Sequence, residues 1–287
     1  MRVLSLSSQV VQGHIGNSAL ALPLARLGVE LLAVPTVVFS NHPGSGSFDG
    51  VPLEARVPGL MLDALEQHGL LAGLDGVLSG YLGESWTATL LRDRLLRWRR
   101  ERPDLPYLLD PAKGDTSPGE HGRLYVVSEL PRVIRRELLP LADWVRLNPF
   151  ELAMLSRGEP ESEPAALARQ ARQLLGDRCQ AVLVTSYAEG ERLGALLILH
   201  DGAWRLLAPK LRIDPSPHGA GDLLSGLWLI ELLRTAEPLQ AARYALAQLH
   251  GVLQETARQG LRELALLQAQ DRLARGEENG VEVSALG

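Results

Sequence analysis

The chain has 287 residues, enough to bury a sizeable core, and its 46% hydrophobic and 22% charged content is ordinary for a globular protein. Its 29 basic and 34 acidic side chains give a net charge of −5, which offers no electrostatic footprint for nucleic acid or an anionic membrane. The single cysteine, Cys179, excludes an intrachain disulfide and a cysteine-rich metal site, and no apolar run reaches the ~18 residues that span a bilayer.

Short apolar runs alternate with helix-periodic segments along the chain. Residues 3–6 predict a strand rather than a secretory leader, so a cytoplasmic protein is expected. A helix over 18–27 ends at Gly28, and 31–38 is the next strand. Residues 60–68 are helical and stopped by Gly69; 76–79 form a strand. The long amphipathic helix over 85–102 is closed by Pro103. A buried strand over 107–110 leads into a loop that runs to about residue 127. Strand 144–147 is followed by a helix that Pro149 opens at a favourable early position. Strand 181–185 precedes a hairpin, 194–200 and 204–209, turned at Asp201-Gly202. From Asp222 onward the pattern is helical, ending in a polar tail after about residue 277 to which no role is assigned. This order predicts an α/β protein: a three-layer αβα fold with a mainly parallel central sheet, helices on both faces and the hairpin added at one edge. No linker-like composition shift divides the chain, so residues 1–287 are expected to form one domain.

In such sheets ligands bind beyond the carboxyl ends of the strands. There the sequence sets Ser7, Ser8, Asp110, Asn148, Glu151 and Thr185. The most informative segment is His218-Gly219-Ala220-Gly221-Asp222, just before an apolar helix. A helix start offers unpaired N–H groups and the positive end of the macrodipole, and glycines let an anion approach. A carboxylate would repel a phosphate there unless it takes a proton from a hydroxyl while the N–H groups stabilise a transferring phosphoryl group. That chemistry is a small-molecule kinase's; the plainer alternative is a turn and a helix cap. Asp110 and Asp115 flank a turn where they could hold Mg²⁺ or simply cap it. Asn148 and Glu151 have the spacing of a capping box.

Taken together these segments resemble the ribokinase-like superfamily and, within it, the pyridoxal/pyridoxine kinases of vitamin B6 salvage. Ser8 through Ser18, reading S-Q-V-V-Q-G-H-I-G-N-S, is similar to that family's opening motif. Ala33 to Val37, Phe39-Ser40-Asn41-His42, Ser79 to Gly83, Asp110-Pro111 with Gly114-Asp115, Asn148 to Leu152, Val182 to Ser186 and Gly219 to Asp222 resemble its later motifs in the same order. The resemblance implies that Asp222 is the base, with Gly219, Ala220 and Gly221 as the anion hole. It implies that Ser8, Val10, His42, Gly44 and Tyr81 lie around the pyridine substrate with Asp222. Asp110, Asn148, Glu151, Thr185, Gly219 and Gly221 would bind ATP, and Asp110, Tyr125 and Glu151 would lie around Mg²⁺. It further implies MgATP as phosphoryl donor, a response to K⁺, and a homodimer.

The chain departs from the family's pattern at several points. Pro43-Gly44-Ser45-Gly46 replaces a segment that usually carries a side chain reaching the substrate ring, and is expected to be a flexible loop. Ala220 replaces a threonine, Ala112 and Lys113 replace apolar residues, and Arg146-Leu147 stands where the family often has Thr-Pro or Ala-Pro. Two other readings therefore remain open: a hydroxymethylpyrimidine kinase, whose branch typically has cysteine in place of Asp222, and a catalytically weak B6-binding or regulatory relative.

Overall fold

The computed structural model describes residues 1–54, 56–112, 114–115, 123–124, 129–275 and 280–286. Its strands are β1 (Arg2–Val10), β2 (Glu30–Phe39), β3 (Gly50–Pro52), β4 (Gly76–Ser79), β5 (Tyr107–Leu109), the short pair β6 (Gly114–Asp115) and β7 (Arg123–Leu124), β8 (Trp144–Leu147), β9 (Ala181–Glu189), β10 (Arg192–Leu199), β11 (Ala203–Pro209) and β12 (Glu282–Ala285). Between them run α1 (Asn17–Arg26), α2 (Arg56–Gln67), α3 (Ser85–Glu101), α4 (Leu130–Val133), α5 (Pro149–Ser156), α6 (Pro164–Arg172), α7 (Ala220–Thr235), α8 (Pro238–Gln259) and α9 (Gln270–Arg275).

Ten strands form one sheet in the order β12-β11-β10-β9-β8-β5-β4-β1-β2-β3. The strands from β9 to β2 pair in parallel, and antiparallel strands extend both edges. Parallel strands are buried on both faces, which is why they read as continuous apolar runs. One face packs against α1, α7, α8 and α9 around the fully buried Trp228; the other packs against α2 to α6 around Leu91, Leu95, Ile134 and Leu167. This is the three-layer α/β fold that the alternation predicts.

Three expectations need correction. First, the opening strand does not stop at residue 6: Ser7 and Ser8 lie inside β1 and are buried. The strand survives these polar residues because Asn17 bonds around them. Ser5 Oγ donates to Asn17 Oδ1 at 2.8 Å, and Asn17 Nδ2 donates to the carbonyls of Ser7 and Val34 at 3.2 Å. Second, the polar tail carries structure among its described residues, since β12 pairs antiparallel with β11 and Glu282 forms an ion pair with Arg192. Third, the segment after His42 is shaped: Pro43–Ser45 forms a 3₁₀ turn whose first N–H, that of Gly44, donates to His42 Nδ1 at 3.0 Å. Strand β3 and helix α6 are additions that the sequence pattern did not predict.

Candidate active site

The chain leaves β1 toward β2 on one side and reaches β4 on the other, so the sheet order reverses between β1 and β4. At such a switch point the loops diverge and open a crevice at the carboxyl ends of the strands. Helix α7 begins at this crevice. Gly219 is its N-cap with φ of 86°, a left-handed conformation, and an added Cβ would lie 1.6 Å from the His14 carbonyl oxygen. Glycine is therefore required for the loop before α1 and the start of α7 to meet.

Asp222 stands in the first turn of α7, lining a small crevice with Ser5, Ser7, Gly80, Asp110 and Ser225. The N–H of Gly16, the N-cap of α1, donates to its carboxylate. Burial, followed by the like charge of Asp110, pushes its pKa up to about 6, against the lowering effects of Gly16 and Arg146. A carboxyl so placed loses its proton just below neutrality and is a competent proton acceptor.

Asp110 follows β5 and is buried. Its Oδ2 accepts a bond from Ser225 Oγ at 2.6 Å, and its Oδ1 accepts the Ala112 N–H at 3.1 Å. Arg146 Nη1 lies 3.3 and 3.5 Å from the two carboxylate oxygens. Arg146 comes from β8, where alternation turns Val145 and Leu147 to one core and Trp144 to the other, with α7. Desolvation works against its charge, but Asp110, Glu151 and Asp222 outweigh it and raise its pKa. Asn148 and Glu151 form the capping box of α5: the Glu151 N–H donates to Asn148 Oδ1 at 2.9 Å, and the Asn148 N–H donates to Glu151 Oε2 at 3.0 Å.

The described residues contain no group of three or more His, Cys, Asp or Glu side chains able to hold a metal ion. Ser225 and Ala112 engage the Asp110 oxygens, the Arg146 guanidinium stands beside them as a competing cation, and Glu151 serves its cap. As arranged, this carboxylate pair does not fit a resident divalent ion. Tyr125, also expected there, lies outside the described residues.

Beside Arg146 opens a cleft of about 210 Å³, bounded by Thr185, Ala220 and Gly221 at its polar end and by Leu246, Leu249 and Val281 along its walls. Thr185 is buried, and its hydroxyl donates to the Leu147 carbonyl at 3.3 Å. A register shift in the β9–β10 pairing leaves Ser186 at φ 59°, a bulge that turns this strand end into the cleft. On the other side, Ser8 and Val10 are buried in β1, and the Tyr81 N–H bonds to Ser7 Oγ at 3.2 Å. His42 stacks on His218 with ring centroids 3.6 Å apart. Burial, then His218, lowers the His42 pKa to about 4, so this ring is neutral at physiological pH. The structure thus brings Asp110 and Asp222 to one crevice and sets Ala220, Gly221 and Thr185 along the cleft that Arg146 lines, with Gly219 capping α7 between the loops and Glu151 close enough to act on Arg146. The site residue that sequence reasoning missed is Arg146, noted only as a departure from a pattern.

The sequence model of the phosphomethylpyrimidine kinase family matches residues 98–265. A pyridoxal kinase PdxY of Deinococcus radiodurans is 36% identical over 282 residues, covering 95% of this chain and 93% of that protein. The chain belongs to the pyridoxal kinase family. Another member, from Rubrobacter xylanophilus, is 36% identical over 278 residues with 95% and 93% coverage. Among solved members, the pyridoxal kinase of Leishmania donovani in complex with ADP and ginkgotoxin has a TM-score of 0.87 at 25% identity, with 100% of this chain and 99% of that one covered. The Entamoeba histolytica pyridoxal kinase shares the fold, with a TM-score of 0.88 at 22% identity and 99% of both chains covered.

Proposed function

We propose that the chain is an ATP-dependent kinase that phosphorylates the 5′-hydroxymethyl group of pyridoxal, pyridoxine or pyridoxamine, giving pyridoxal 5′-phosphate and related esters. The observation that carries this reading is the Asp222 carboxyl, with its pKa near 6, set in the first turn of α7 beside the glycine-lined helix start. Asp222 accepts the proton of the 5′-hydroxyl as its oxygen attacks the γ-phosphorus of ATP. The N–H groups of Gly219, Ala220 and Gly221 stabilise the charge on the transferring group, and ADP leaves into the cleft lined by Thr185. Ser8, Val10, His42, Gly44 and Tyr81 shape the vitamer's side, while Asn148 and Glu151 orient the nucleotide's side. ATP enters as its Mg²⁺ complex, the form in which it is the second substrate.

The reading takes the whole chain as one kinase domain working in the cytoplasm. Among the described residues no helix is long and apolar enough to cross a membrane. A homodimer belongs to the same reading. Exposed Val11, Phe48 and Val51 gather at the edge strand β3, where a second copy would cover them. Sedimentation at micromolar concentration tests this, and a K⁺-for-Na⁺ exchange in the turnover assay tests the alkali-ion response.

A second reading, phosphorylation of hydroxymethylpyrimidine, is favoured by the family model over residues 98–265. MgATP-dependent product formation with the three vitamers and hydroxymethylpyrimidine, run in parallel, decides between the two. Vitamer binding without turnover of either substrate class would point instead to a B6-binding relative.

A further inference from the structure

Arg146 is an expensive residue in its position. A guanidinium with only 12% of its side chain exposed carries a large desolvation cost unless anions surround it. Asp110, Glu151 and Asp222 supply that surrounding charge. Yet its contacts with Asp110, at 3.3 and 3.5 Å, are well beyond the length of a tight charge-assisted bond. Its buried Nε has no hydrogen-bond partner among the described residues. The guanidinium is therefore held in place but retains donor capacity.

Its position is specific. An added Cβ on Gly221 would lie 2.7 and 2.9 Å from Arg146 Nη2 and Nη1, so the planar group packs directly on the first turn of α7, where a side chain would displace it. It also lines the cleft together with Thr185, Ala220 and Gly221. A cation here meets the positive end of a helix, an arrangement that three neighbouring carboxylates offset and that an incoming polyphosphate would complete. A planar guanidinium fork also matches phosphate oxygens two at a time.

We propose that Arg146 is a built-in cation for the nucleotide's phosphates, linking them to Asp110 where a protein-held divalent ion would otherwise do so. The inference rests on the kinase reading of this site. It predicts that the chain holds a nucleoside diphosphate without divalent metal, and that this capacity belongs to one side chain.

The test is calorimetric titration of the full-length protein with ADP, in excess Mg²⁺ and in EDTA, for the wild type, Arg146→Ala and Arg146→Lys. The wild type is expected to bind ADP in EDTA within about threefold of its affinity in Mg²⁺. Arg146→Ala is expected to lose about tenfold or more in EDTA and much less in Mg²⁺, the range of a lost charge-assisted bond. Arg146→Lys keeps the charge without the fork, should fold if the alanine variant does not, and should fall between the two. Wild-type binding that vanishes in EDTA but survives in Mg²⁺ would overturn the proposal and leave the kinase reading intact. Equal or tighter ADP binding by Arg146→Ala in EDTA would overturn it too, making the guanidinium a plug. Absence of ADP binding in both buffers would overturn both readings.

Discussion

Asp222→Asn should cut turnover by orders of magnitude and yet stabilise the protein. The folded carboxyl has a pKa of about 6 where an unperturbed one has 3.8. That difference corresponds to about 3 kcal/mol, an upper figure for a group with some solvent contact. Because the folded state binds this proton more tightly than the unfolded state, folding takes up a proton between pH 3.8 and 6. Stability therefore falls as the pH rises through that window, and the full cost is present above it. Asparagine mimics the neutral acid, so the variant escapes the cost at neutral pH. Urea unfolding of both proteins at pH 8 should show the variant ahead by about 1–3 kcal/mol, narrowing to about 1 kcal/mol or less near pH 4.5. Turnover should drop by about 10²–10⁴-fold, the usual contribution of a general base. A variant that is less stable than wild type at pH 8, or a stability gap that stays constant from pH 8 to 4.5, would refute the reasoning.

In the wild type, kcat/KM should fall below an acid limb near pH 6, and Asp110→Asn should move that limb downward, because the like charge of Asp110 helps to raise the Asp222 pKa; a pH–rate profile reads both. Gly219→Ala places a Cβ against the His14 carbonyl at φ 86°, so a loss of about 2 kcal/mol or more in unfolding experiments is expected, with turnover collapsing as the start of α7 shifts. Removal of residues 280–287 strips β12 from β11 and takes away Val281 from the cleft wall. A loss of about 2 kcal/mol there lowers Tm by about 3 °C in a chain of this length, and thermal melts with ADP titration check both effects.

Much of the sheet was legible because buried parallel strands are written as apolar runs: residues 76–79 and 144–147 match β4 and β8 end for end. Where strands are defined by their partners, local pattern fails. Glu282–Ala285 is four exposed residues, too short for a legible alternation, and its pairing with β11 makes it a strand. Gly50–Pro52 is three exposed residues at an edge, too short to show alternation. The motif from Ser8 to Ser18 was visible, but part of it is structural: Asn17 fastens β1 to β2, and Ser18 Oγ accepts the Val10 N–H and donates to its carbonyl. Arg146 was visible as an odd residue. Its meaning required the facing of β8 and the bare Cα of Gly221, which no local window contains.

The central claim is that Asp222 deprotonates the hydroxyl of a B6 vitamer for transfer from ATP. The most direct measurement is MgATP-dependent product formation with pyridoxal, pyridoxine, pyridoxamine and hydroxymethylpyrimidine, wild type beside a folded Asp222→Asn. Phosphorylated B6 vitamers that form with the wild type and disappear with the variant are the predicted result. Turnover confined to hydroxymethylpyrimidine, or vitamer turnover that persists undiminished in the variant, would contradict it.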